Sequence, residues 1–131
     1  MTLKYQKKIE SIENCPVDNF QGEITLFRCV ENPMTQKSFI PNAVLQKPKL
    51  ENNCMAWGLS LFKTYDSAKQ MLNNLSKNKK VNYANIAKGV ITDNDGIKHG
   101  STKNEKHFTF YPKESIDIVS KFAIIEDNEN E

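Results

Sequence analysis

Arg28 is the only arginine in a chain whose other 17 basic side chains are all Lys. Where Lys fills every site that asks only for positive charge, a lone guanidinium marks a place that needs a planar fork. That fork matches a carboxylate or phosphate, which an ammonium grips only as a point charge. Arg28 lies in "GEITLFRCVE", residues 22 to 31. A period of two puts Ile24, Leu26, Arg28 and Val30 on one face and Thr25, Phe27 and Cys29 on the other. A charge in a strand that is apolar on both faces needs a partner. Three arrangements fit: an ion pair with a carboxylate such as Glu51 or Asp66, a position at a sheet end that reaches water, or an anchor for an anionic ligand.

The second set of chemical candidates sits in "CMAWGLSLFKTYDSAKQML", residues 54 to 72. Read as a strand over 54 to 63, it puts Ser60 on a face with Ala56, Gly58 and Phe62. Glycine inside a strand marks a bulge or a close approach by another backbone or a ligand. A bulge there would present Trp57 as an aromatic wall beside a gap and the Ser60 hydroxyl. The alternative is a core Trp and a Ser bonded to a neighbour. In "KHFTFY", residues 106 to 111, Phe108 and Phe110 share one face, and His107, Thr109 and Tyr111 the other. His107 then either lines a cleft, where it donates to a phosphate or acts as acid or base, or stands on the wet side of a half-buried sheet. His99 reads as a loop residue.

Other patterns fail on spacing. "DNDG" at 93 to 96 has the look of a calcium loop, but with Gly96 in the glycine place the outer ligand positions fall on Ile91 and Thr102. "HGSTK" has P-loop residue types in the wrong order. Two His and three scattered Cys give no zinc spacing, so no metal is expected. Cys15, Cys29 and Cys54 read as reduced thiols. A Cys54–His107 dyad lacks a third, orienting group.

These residues need elements to hold them. The 22 to 31 strand reads as central. Pro33, Pro41 and Pro48 punctuate a connection over 32 to 52 that is too long to be idle in a small domain. Thr64 or Asp66 caps a helix to about residue 77, with Tyr65, Ala68, Met71, Leu72 and Leu75 as its apolar stripe. A strand over 83 to 92, a turn at "DNDG", a short return strand from Ile97, the 106 to 111 strand and a final short helix complete the chain. The expected fold is α+β: a single domain over 1–125, a mixed or antiparallel sheet and two or three helices.

At 131 residues, 38% apolar and 26% charged, the chain has enough apolar content for one core and too much for full disorder. No run reaches the roughly 18 apolar residues of a membrane span, and the first residues lack a secretory h-region. The expectation is a cytoplasmic protein with no membrane partner. The net charge of +2 includes an acidic tail, "EDNENE" at 126–131, read as disordered; setting its four negative charges aside leaves +6 on the body. Nucleic acid is not an expected partner, because the Lys clusters at 77–80 and 98–106 lack interleaved aromatics.

The order "LFRCV", then "WGLSLF" running into a helix, then "HFTFYP" resembles small bacterial proteins distantly similar to the ADP-ribosyltransferase superfamily, in the manner of its RES-type members. The three pieces cover about half the chain. The resemblance implies NAD as cofactor, or a related nucleotide-type small molecule. It places Arg28 on the pyrophosphate, Ser60 as the strand serine leading into a helix, and Tyr65 against the nicotinamide or adenine, with Trp57 or Tyr65 as the stacking ring. It also implies transfer or hydrolysis of ADP-ribose where a carboxylate completes the site. Glu105 and Glu114 flank the right region, and His107 is the other catalytic candidate. The competing expectation is a non-enzymatic interaction module with a protein partner, such as an immunity protein or regulator.

Overall fold

The computed structural model describes residues 1–16, 19–75, 77, 83–101, 104 and 106–125. Six strands form one antiparallel sheet: β1 (Ile24–Glu31), β2 (Leu59–Phe62), β3 (Tyr83–Ile91), β4 (Gly96–Gly100), β5 (His107–Pro112) and β6 (Phe122–Ile124). They lie side by side in the order β4-β5-β2-β1-β3-β6. The helices are α1 (Gln6–Glu10), α2 (Asn42–Leu45), α3 (Tyr65–Leu75) and α4 (Ile118–Lys121). Only α3 exceeds two turns. The α+β expectation therefore holds in its antiparallel form.

The sheet curls. β3 and β4 are four strand spacings apart in the order, roughly 19 Å across a flat sheet, yet only residues 92–95 join them. Those four residues close a turn in which the Asp95 N–H donates to the Thr92 carbonyl at 3.1 Å. The two ends of the sheet must therefore approach one another. Inside the curl lie Leu26 and Val30 of β1, Leu59 and Leu61 of β2, Ala87 and Ile91 of β3, and Phe108 and Phe110 of β5. The expected return strand from Ile97 exists, but it pairs with β5 instead of folding back on β3. His99 belongs to that strand and is buried, so its placement in a loop is corrected.

β1 is central, between β2 and β3, as two apolar faces require. Its outward side chains Phe27 and Cys29 are covered by α3, which buries Ala68 and Leu72 against them. Thr64 caps that helix: its Oγ1 accepts from the Ser67 N–H at 3.1 Å, satisfying a donor that the first turn leaves orphaned.

The stretch before β2 departs from expectation. Residues 54–57 are a 3-10 turn, not strand, and β2 starts only at Leu59. This turn is joined to the segment that follows α1 by a Cys15–Cys54 disulfide across 39 positions. Cys29 alone is a free thiol. The expectation of three reduced thiols is corrected, and with it goes the thiol argument for a reducing compartment. No helix among the described residues is long and apolar enough to cross a membrane.

Candidate functional site

The β1–β2 ladder has a single register pair, Phe27 with Phe62. Beyond it the strands part, and a cleft of about 550 Å³ opens beside the gap. An interrupted ladder leaves backbone groups that must find other partners. Arg28 supplies them. Its Nε donates to the Ser38 carbonyl at 3.0 Å and its Nη1 to the Ser60 carbonyl at 2.9 Å. The guanidinium also lies 5.7 Å from the Phe39 ring centroid, a favourable cation–π placement. It thus ties β1, the 3-10 turn Gln36–Phe39 and β2 together.

Arg28 is 8% exposed and lines the cleft. No carboxylate among the described residues is within ion-pair distance of it, so of the three arrangements the ion pair with Glu51 or Asp66 is not the one formed; two carbonyls take its place. Burial pulls its pKa below the usual arginine value, against the weaker opposing fields of Tyr83, Cys29 and Glu31. Two of its three nitrogens are bonded; Nη2 carries no bond among the described residues.

Ser60 and His107 meet in the same cleft. β2 and β5 pair with Ser60 opposite Thr109 and Phe62 opposite His107. That register sets His107 diagonal to Ser60, and Ser60 Oγ lies 2.5 Å from His107 Nε2. The ring packs edge-on against Phe62, with centroids 5.4 Å apart. Desolvation, then the field of His99, lowers the His107 pKa, so the imidazole is neutral at pH 7. The face it shares with Thr109 and Tyr111 is not wet: both of those are buried.

The remaining walls come from the 32 to 52 connection and from α3. Pro41, Asn42, Gln46 and Leu50 come from the first, and Met71 and Leu75 from the second. The proline-punctuated connection therefore supplies part of the cleft's lining. Met71, expected in the buried stripe of the helix, is 37% exposed and lines the cleft instead. Gly58 lets the floor close. A Cβ there would stand 2.3 Å from Cγ2 of Thr109, so only the bare backbone fits against β5.

Three expected contributors lie elsewhere. Trp57 is 1% exposed among Leu3, Ile9 and Tyr111, and its Nε1 donates to the Glu51 carbonyl at 2.8 Å. With no bulge in a regular strand to turn it, it faces the N-terminal cluster and not the cleft. Tyr65 packs edge-on against Phe27 beneath α3 and does not line the cleft. Glu114 is exposed on the turn after β5, its N–H bonded to the Thr2 carbonyl, and it too is absent from the cleft. Glu105 and the 126–131 tail lie outside the described residues.

The other chemical candidates have structural partners. Cys54 is in the disulfide, which removes the Cys54–His107 dyad. Burial pushes the Cys29 thiol up to about 11, despite nearby Arg28, and its Sγ donates to the Ala68 carbonyl; it is no nucleophile at neutral pH. Asp93 accepts from the Gly22 N–H and from Lys98 Nζ at 2.8 Å, and Asp95 from Thr92 and Lys121. Lys98 is wholly buried by that pairing, so it is not part of a basic surface. No group of three metal-ligating side chains occurs among the described residues.

In comparison with known proteins, no family model matches the chain, and neither a curated protein nor a solved structure does.

Proposed function

We propose that the cleft between β1 and β2 is a binding site for a nucleotide-type small molecule, with NAD as the first ligand to test. The observation that carries this reading is the convergence of Arg28, Ser60 and His107, from three separate segments, on one cleft of about 550 Å³. Arg28 Nη2 offers a charged donor to a phosphate oxygen. Ser60 and His107 offer a neutral hydrogen-bonding pair for ribose hydroxyls. Phe62, Met71 and Leu75 give the apolar area that a base or nicotinamide ring needs.

The reading is one of binding. Cleavage of the nicotinamide bond builds positive charge on the ribose, which a carboxylate must face. Among the described residues no Asp or Glu lines the cleft. ADP-ribose transfer or hydrolysis is therefore not part of the proposal.

The test is a thermal-unfolding titration of the wild type with NAD, ADP-ribose and AMP. A ligand at a hundred times its Kd stabilises the native state by about 2.7 kcal/mol. A midpoint that rises with each phosphate-bearing ligand, and does not rise with nicotinamide alone, supports the proposal. No rise at millimolar concentration of any of them refutes it.

A further inference from the structure

We infer that Ser60 and His107 form a nucleophile–base pair that hydrolyses small carboxylic esters, an activity separate from nucleotide binding in the same cleft. The strand register carries the argument. β2 and β5 are neighbours, and their register sets His107 diagonal to Ser60 on the outward face, opposite the one on which Leu59, Leu61, Phe108 and Phe110 enter the core. The hydroxyl and Nε2 are in hydrogen-bond contact, the arrangement that activates a serine. Ser60 is exposed, so a substrate carbonyl reaches Oγ, whereas Thr109 opposite it is buried. Arg28 Nη1 donates to the carbonyl of Ser60 itself at 2.9 Å, which holds the backbone that carries the hydroxyl.

The step is ordinary acyl transfer. With the imidazole proton on Nδ1, Nε2 takes the Ser60 proton as Oγ bonds to the ester carbon. The carbonyl oxygen takes the negative charge as the tetrahedral intermediate forms. The bond to the alcohol oxygen breaks and Nε2 returns the proton to it. Water then attacks the acyl-serine by the same route, so ester and water become acid and alcohol. Phe62, Met71 and Leu75 favour an apolar acyl group of a few carbons.

An alkyl fluorophosphonate tests this on the wild-type chain, without relying on a variant to fold. The probe loses fluoride and leaves a phosphonyl group on an activated serine oxygen, located by intact mass and peptide mapping. The expected result is one adduct, on Ser60, formed by native protein and not by urea-unfolded protein. In a folded His107→Gln variant, which keeps a hydrogen-bonding group beside Ser60, labelling should slow at least about a hundredfold. Hydrolysis of p-nitrophenyl acetate should fall with it. Native protein that stays unlabelled, labels elsewhere, or labels as fast after His107→Gln overturns the inference. Because the probe carries no nucleotide, either result stands whether or not NAD binds.

Discussion

Replacing Arg28 with Lys keeps the charge and most of the stem but removes the fork, and the structure says what the fork holds. The guanidinium bonds two carbonyls at once, Ser38 at 3.0 Å and Ser60 at 2.9 Å. One ammonium on a shorter reach satisfies at most one of them, and the other loses its charged donor. A hydrogen bond to a charged group contributes about 1.5–3 kcal/mol, and an acceptor left unpaired in a buried place costs about 1–3 kcal/mol. The two figures describe overlapping events and do not add in full, so the expected loss is about 2–4 kcal/mol. Urea unfolding followed by fluorescence of Trp57, the single and buried tryptophan, reads this directly. With a slope of about 2 kcal/mol per molar, the midpoint should fall by roughly 1–2 M while the slope stays the same. A loss under about 0.5 kcal/mol, the range of ordinary surface substitutions, would mean that the guanidinium does not bridge the gap between β1 and β2.

Three further outcomes follow from named contacts. Thiol titration of the denatured, unreduced chain should find one free thiol, Cys29, and reduction should destabilise the fold by about 4 kcal/mol for a closed loop of this length; three free thiols would contradict the Cys15–Cys54 pairing. Gly58→Ala places a Cβ against Cγ2 of Thr109 and should cost about 1–3 kcal/mol. Thr109→Ser in the same chain removes that methyl and should restore part of the loss by denaturant unfolding. Since the folded-state pKa of His107 is depressed below its unfolded value of 6.5, the unfolded chain takes the proton first. Stability should then drop as pH falls below about 6.5, with His99 of β4 adding to the effect and Ser60 and Arg28 as its other polar neighbours in the cleft. His107→Gln should flatten the pH dependence of the unfolding midpoint between pH 5 and 7, and an unchanged slope would remove His107 as its source.

Period-two patterning was enough to read β1, β3 and β5, because each keeps an apolar face against one interior and alternation is a local property. The α3 helix was legible for the same reason, and Thr64 was one of two caps considered. What the pattern did not carry is partnering. β4 was expected to fold back on β3, since a four-residue turn usually makes a hairpin. It pairs with β5 instead because the sheet curls, and curl is a property of the whole sheet. The Cys15–Cys54 bridge depends on α1 packing against the turn before β2, which no spacing encodes. Gly58 did mark a close approach, but the 3-10 turn ahead of it points Trp57 away from the cleft. At the site itself, the lone arginine was informative for a physical reason. The ladder between β1 and β2 stops after one pair, and a fork bonds the Ser60 carbonyl of β2 and the Ser38 carbonyl of the neighbouring turn at once. Ser60 and His107 were legible as polar residues in apolar strands, whereas their contact required the β2–β5 register.

The most direct test of the cleft as a ligand site is amide chemical-shift mapping during titration of the native chain with NAD. The account predicts concentration-dependent shifts that cluster at Arg28, Ser60, His107 and Thr109 and along Asn42 and Gln46, with the amides of Tyr5 and Ile9, on the far side of Trp57, unmoved. Shifts confined to another face, or none at saturating NAD, would contradict it.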